Sequence, residues 1–337
     1  MSKNILKLSL LLLIGVMLFG LLGCSPAEPE GDSGNGEGEE VVYNVGIVQI
    51  IRHEALDQAK EGFIDALADE GFKEGTNLNI SYKCAEGEQA TARSIADGFV
   101  ADEVDVILAI ATPAAQAAAQ ATQEIPILIT AVTNPEDVGV MDPQEPGGNV
   151  SGTTDLNPVE DQLALIKEIN PEAKTVGVIY NPGETNSVFQ VELAREEAPR
   201  LGLTLVEKAA PTGNDVLAAA EALVEADAIY IPTDNTVVAA IESVLKVTEE
   251  EKIIVITGEE NSVKAGALAT VAGIDYYQLG YQTGIMAAKI LRGEAEPATM
   301  PIEGQDNFVD LVNITAAERL GLELPQSLLD RAETFRE

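Results

Sequence analysis

Three scarcities bound what this chain can do. Its 337 residues include one histidine, His53, and two cysteines, Cys24 and Cys84. So few of either cannot build a His/Cys metal cluster, and no metal site is expected. If Cys24 is modified, Cys84 has no partner for an internal disulfide. A domain this large folds on its apolar core without one. Cys84, closing the stretch NLNISYKC, then reads as a partly buried small side chain rather than a reactive thiol. Positive charge is also scarce, with 20 Lys plus Arg against 56 Asp plus Glu, a formal net charge of −36. That balance excludes nucleic acid as a partner and reads as a solvated, soluble surface. Catalytic signatures are missing too. There is no GxSxG elbow, no Walker loop and no GxGxxG following a strand. The GNGEG at 34–38 has no strand before it and carries no phosphate-binding argument.

What is present begins with a leader. Lys3 and Lys7 precede an almost wholly apolar run over 5–22, which stops at Leu21-Leu22-Gly23-Cys24. The run is barely long enough to cross a bilayer. A small residue followed by cysteine at its end resembles a lipobox, where a signal peptide is cut before a lipidated cysteine. The alternatives are a permanent membrane helix or an ordinary secretory signal. Residues 1–23 are therefore expected to be removed. Cys24 is expected to carry acyl chains, more than one being needed for stable anchoring. The protein would be extracytoplasmic and held on the cell membrane. Without Lys3 and Lys7 the remainder has 18 basic residues against 56 acidic ones, a net charge near −38. Residues 24–41, rich in acid, Gly and Ser, read as a disordered tether.

Beyond the tether the chain repeats one pattern twice. The first copy opens with NVGIVQI (44–50), the second with TVGVIYN (175–181). Each opening run is followed by a helical stretch ending in glycine, Gly71 or Gly202, a common helix stop. Second strands over 77–83 and 204–209 follow, then helices over 90–103 and 214–226. Third strands cover 105–112 and 227–234. After further helices come strands over 125–133 and 252–260. Alternating helices and continuously apolar strands predict an α/β fold with parallel sheets covered on both faces. Two copies predict two Rossmann-like lobes joined by a hinge.

In such sheets ligands sit beyond the carboxyl ends of the strands. That rule selects 49–53, 111–114, 131–134, 180–187, 233–235 and 258–261. These segments are rich in Thr, Asn, Asp, Glu and Ser, which suits hydrogen bonding to a solute that leaves unchanged. His53 reads first as a helix-start residue near the cleft and only second as a catalytic base.

The stretches HEALDQAKEGF, AIATPAAQAAA, TAVTNP, PGGNVSGTTDL, KTVGVIYNPGETNS, DAIYIPTDNTVV, GALATVAGIDYYQLG and NITAAERLGLELP together resemble a known family. It is the ABC-transporter substrate-binding lipoproteins of the tryptophan/tyrosine-type amino-acid-binding group. The resemblance runs from about Val45 to the C-terminus. Glu259-Glu260-Asn261 departs from it, standing where a more Asp-rich stretch is common, and so does Arg52. The resemblance implies the type I periplasmic-binding-protein fold, with lobe 1 formed by 42–153 plus 276–306 and lobe 2 by 154–275 plus 307–337. Crossings would lie near 152–155, 273–276 and 306–312. It further implies a monomer without cofactor or catalysis that captures a small amino acid, hydrophobic or aromatic, and delivers it to a membrane ABC permease. The alternatives are another small solute, such as a sugar or nucleoside, or an enzyme using His53.

The site expected on these grounds comprises Gln49, His53, Ala111, Thr112, Ala114, Thr133, Asn134, Tyr180, Asn186, Ser187, Asp234, Asn235, Glu260, Asp275 and Tyr276. Thr112 is expected to cap a helix whose first residue is Pro113, and that helix end, with Thr133, to take the ligand carboxylate. Asn186 and Ser187 would cap the helix after 175–181. Asp234 would take the ammonium, with simple helix capping as its alternative. Asp275 and Tyr276 would serve either the hinge or the ligand.

Overall fold

The computed structural model describes residues 41–305 and 308–336. The apolar run, Cys24 and all of the tether but Val41 lie outside them. In the first sheet, β1 (Tyr43–Gln49), β2 (Leu78–Cys84), β3 (Val106–Ile110), β4 (Ile127–Val132) and β5 (Val150–Thr154) are all parallel, in the order β2-β1-β3-β4-β5. Every residue of β3 and β4 is buried, as continuous Val/Ile/Leu runs require when helices cover both faces. The covering helices are α1 (Glu54–Asp69), α2 (Gln89–Ala101) and α3 (Thr112–Ala121).

The second sheet contains β6 (Thr175–Tyr180), β7 (Thr204–Ala209), β8 (Ala228–Ile231), β9 (Ile254–Thr257), β10 (Ala269–Gly273), β11 (Val309–Asn313) and β12 (Glu333–Phe335). Its order is β12-β11-β10-β9-β8-β6-β7, parallel except for the antiparallel β10–β11 pair. Between the strands lie α4 (Val159–Ile169), α5 (Thr185–Glu197), α6 (Val216–Glu221), α7 (Asn235–Ala239), α8 (Ile241–Glu251), α9 (Glu260–Lys264), α10 (Tyr276–Leu291), α11 (Ile314–Leu320) and α12 (Gln326–Arg331). Two apolar clusters cover the faces of this sheet, one built on α4, α5 and α11, the other on α6 and α8.

The chain passes between the sheets more than once. It leaves the first sheet after β5 and enters α4. After β10 it returns, and α10 packs into the first sheet's core through Tyr276, Leu279 and Met286. Residue Glu303 then bridges Thr153 beside β5 before the chain rejoins the second sheet at β11. Helices α1 and α10 approach unusually closely. A Cβ on Gly62 would strike the Tyr277 carbonyl, and one on Gly280 would strike the Ala59 backbone. Around this seam, Tyr277 and Tyr281 donate to Asp65 and Asp69, both at 2.9 Å. These contacts bring the start of α10, and with it Tyr276, over the carboxyl end of the first sheet.

Candidate functional site

Residues at the carboxyl ends of both sheets line one narrow cavity whose free space is only about 10 Å³, far below the roughly 300–1,000 Å³ usual for small-molecule sites. The first sheet contributes His53, Ala55 and Leu56 from the start of α1, and Ala131 from β4. The second contributes Thr233, Asp234, Asn235 and Val238 from around α7, and Glu259 from the start of α9. Asp155 and Tyr276 come from the crossings. Backbone geometry is special here. Ala111 and Ala131, at the ends of β3 and β4, have φ of 78° and 56°, a region costly for any side chain and often found at ligand sites.

Helix ends divide into two kinds. In the second sheet the N-termini of α7 and α9 are closed by acids. Asp234 Oδ1 accepts from Val237 N at 2.8 Å, and Glu259 accepts from Asn261 N and Ser262 N at 2.6 and 2.8 Å. In the first sheet α1 and α3 have no side-chain cap. Their first-turn amides are donors that an anion can use. Beside them the Thr112 hydroxyl is buried without a hydrogen-bond partner.

The lining contains three buried carboxylates, Asp155, Asp234 and Glu259, and no Lys or Arg. Burial raises the pKa of all three, because a charge loses hydration there. For Asp234 the nearby carboxylate of Glu184 adds to the rise. Asp234 is nonetheless well held, since its Oδ2 also accepts from Asn181 N at 2.6 Å. Glu184 is likewise occupied by Asn235 Nδ2 at 2.6 Å and Thr236 Oγ1 at 2.7 Å. Asp155 differs. It is 3% exposed, and its oxygens accept only from hydroxyls among the side chains, Thr133 Oγ1 at 2.9 Å and Tyr276 OH at 2.8 Å. His53 is half-buried, and both its ring nitrogens are shielded from solvent and unpartnered. Desolvation lowers its pKa to about 4, against smaller opposing effects of Asn235 and Asp57, so the ring is neutral at pH 7.

Of the residues expected from sequence, His53, Asp234, Asn235 and Tyr276 meet at the cavity. Thr112 and Ala114 lie buried in the first turn of α3, but the capping register is shifted by one. Ala111 is the cap, Thr112 the first helical residue and Pro113 the second, because the chain turns at the positive φ of Ala111. Thr133, expected beside the ligand carboxylate, here donates its hydroxyl to Asp155 at 2.9 Å. Neither Asn186 nor Ser187 is a cap. Both are inside the first turn of α5, behind Glu184, and Asn186 Nδ2 donates to Thr233 O at 2.9 Å. Gln49 is consumed internally by Ile51 O, Asp57 and Tyr82.

Like these, Tyr180, Asn134, Asp275 and Glu260 lie outside the cavity lining. Tyr180 points to Glu207, 3.3 Å away, and Asn134 accepts from Glu136 N. Asp275 caps α10. Glu260 pairs with Lys264 at 2.7 Å while its neighbour Glu259 turns inward. Sequence reasoning did not select Asp155, Glu184, Thr233 or Glu259 individually. The strand-end rule had reached Glu184, Thr233 and Glu259 as members of wider segments.

Several hydrogen bonds span the two sheets. Asn261 Nδ2 donates to Gln58 Oε1 and Gln116 Nε2 to Thr185 Oγ1, each at 3.1 Å. Thr185 Oγ1 donates to Asp137 Oδ2 at 2.8 Å, and the Thr133 and Thr233 hydroxyls stand 3.4 Å apart.

Residues 44–335 match the family described as ABC transporter substrate binding protein. A tyrosine-binding protein of Clostridioides difficile is 41% identical over 328 residues, covering 96% of this chain and 93% of that protein. An ABC domain from Streptococcus pneumonia in complex with L-Trp is 34% identical, with a TM-score of 0.83 over 87% of this chain and 99% of that one. A ligand-free, open substrate-binding protein with adhesive properties from Clostridium difficile is 43% identical, yet its TM-score is 0.66, covering 88% and 99%. The superposition on that open structure is the poorer one despite the higher identity, and the bonds across the sheets hold the carboxyl ends of the two sheets together here.

Proposed function

The chain belongs to the ABC transporter substrate-binding protein family, with the type I periplasmic-binding-protein fold, and from that premise we propose that it captures an aromatic amino acid between two lobes. The lobes are 42–153 plus 276–306 and 154–275 plus 307–337, and they close over the solute. One observation carries this reading: Asp155 is a buried carboxylate at the cavity with hydroxyl partners but no cation. A desolvated carboxylate calls for a positive partner. The ammonium of an amino acid provides it, while a sugar brings no charge. The uncapped end of α3, with the unpartnered Thr112 hydroxyl, then receives the carboxylate. Asp234 and Glu259 act one step away, holding α7 and α9 against the ligand. The apolar Ala55, Leu56 and Val238 flank the side chain.

Lipidation at Cys24, extracytoplasmic anchoring, transfer to a permease and binding without chemical change complete the proposal. The test is calorimetry with a panel of amino acids, sugars and nucleosides, on protein unfolded and refolded to remove any solute carried through purification. Aromatic amino acids should bind and be recovered intact. Binding of sugars alone, or conversion of the solute, would refute the reading. Cys24→Ala should release the protein from the membrane fraction or leave it unprocessed, with solute binding kept.

A further inference from the structure

Among the polar side chains lining the cavity, His53 is the one whose polar atoms are shielded from solvent without a hydrogen-bond partner. Both ring nitrogens are shielded from solvent and lack a partner. Leaving a buried polar group unpaired is costly, so such a group at a ligand cavity points to something the ligand brings. Its position indicates which part of the ligand that is. Asp155 follows β5, whereas His53 follows β1, with β3 and β4 between those strands. Three strand steps of roughly 4.8 Å put these two strand ends on the order of 14 Å apart. With the ammonium at Asp155 and the carboxylate at α3, whose strand lies between, the far end is left to the side chain.

The ring's bonding capacity narrows the choice. A neutral imidazole has one donor and one acceptor nitrogen. Across the cavity, Asn235 has already committed its Nδ2 to Glu184 at 2.6 Å. Asn235 makes no hydrogen bond to the ring here, but its oxygen is the atom left to approach it, and an oxygen can only take the ring N–H. The second nitrogen remains as an acceptor facing the ligand.

We propose that His53 is the specificity residue of the site, accepting a hydrogen bond from the polar edge of the ligand side chain, a phenol O–H or an indole N–H, and so selecting such amino acids over phenylalanine. This rests on the amino-acid reading above, and the experiment separates the two. His53 is the single histidine of the chain, so ¹⁵N-imidazole NMR reports on it without assignment or mutation. The signal of the unprotonated nitrogen should differ between the L-tyrosine and L-phenylalanine complexes. Identical signals in both would overturn the proposal while leaving amino-acid binding intact.

By calorimetry, His53→Leu should shrink the tyrosine-to-phenylalanine affinity ratio by about tenfold, the change that one hydrogen bond typically brings. His53→Gln, which retains an acceptor, should preserve part of the ratio. An unchanged ratio in His53→Leu, or equal loss for both amino acids, would overturn the proposal. Failure of the wild type to bind L-tyrosine, L-tryptophan and L-phenylalanine alike would overturn the function itself.

Discussion

Asp155→Asn offers the sharpest test of the site, because it should move affinity and stability in opposite directions. The two side chains have nearly the same shape, and an amide can still bond both Thr133 Oγ1 and Tyr276 OH. The charge is removed, and one acceptor becomes an N–H donor, so one of the two hydroxyls must turn to accept. On the amino-acid reading that charge faces the ligand ammonium, at a residue only 3% exposed. Losing one member of a buried charge pair typically costs about 2–5 kcal/mol. At about 1.4 kcal/mol per tenfold, affinity should fall from about 30-fold to a few thousand-fold.

The ligand-free protein should respond the other way. Burial raises the pKa of Asp155 above its unfolded value. The folded state therefore holds the proton more tightly, and the ionised carboxylate costs stability once pH rises above the unfolded value. Asparagine has no such cost, so the ligand-free variant should melt at a higher temperature at pH 7 than the wild type. Calorimetric titration and thermal melting of one preparation read both effects. A lower melting temperature with unchanged affinity would show that Asp155 serves only to hold the crossing, and the reasoning would fall.

The neighbouring groups give distinguishable outcomes. Asp234→Ala removes the cap of α7 and the acceptor for Asn181 N, so it should lower stability by about 0.5–2 kcal/mol, with a smaller loss of affinity than Asp155→Asn; the reverse order in the two titrations would restore Asp234 as the ammonium anchor. His53 has a lowered pKa, about 4 against an unfolded 6.5, so its contribution to stability is full above pH 6.5 and is lost as pH falls through that window toward 4. His53→Gln should flatten the melting curve against pH there, and equal slopes for both proteins would contradict a buried neutral ring. Small-angle scattering of ligand-stripped protein should give a larger radius of gyration than the amino-acid complex, since a ligand touching both lobes favours the closed form; equal radii at saturation would argue against closure on binding.

Much of the scaffold was readable because its strands are plain. NVGIVQI, DVILAIAT and TVGVIYN are continuous apolar runs, and such runs report parallel strands covered on both faces. The strand-end rule then located His53, Asp234 and Asn235 at the cavity. It was less reliable at single-residue resolution. Helix α9 starts so that Glu259 turns in and Glu260 turns out to Lys264, and α3 starts one residue earlier than a Thr cap predicts. Both slips are of one residue, where positive φ or a cap geometry decides and hydrophobic periodicity is silent.

Asp155 was missed for a different physical reason. It follows β5, whose sequence VSGTT has one large apolar residue and does not read as a core strand. The strand is buried all the same, because its polar side chains are bonded from every side. Ser151 Oγ donates to Met300 O at 2.7 Å, and Thr153 Oγ1 lies 3.1 Å from Thr130 Oγ1 and 2.8 Å from Thr283 Oγ1. Those partners come from residues up to 149 positions away, on β4, α10 and the segment returning beside β5. No local pattern encodes them. A strand buried by hydrogen bonds rather than by hydrocarbon is invisible to a rule that looks for hydrocarbon, and the acid at its end is then taken for a hinge residue. The chain returns to the first sheet at that place, so the same crossing that hides Asp155 in the sequence gives it the Tyr276 hydroxyl and its position between the lobes.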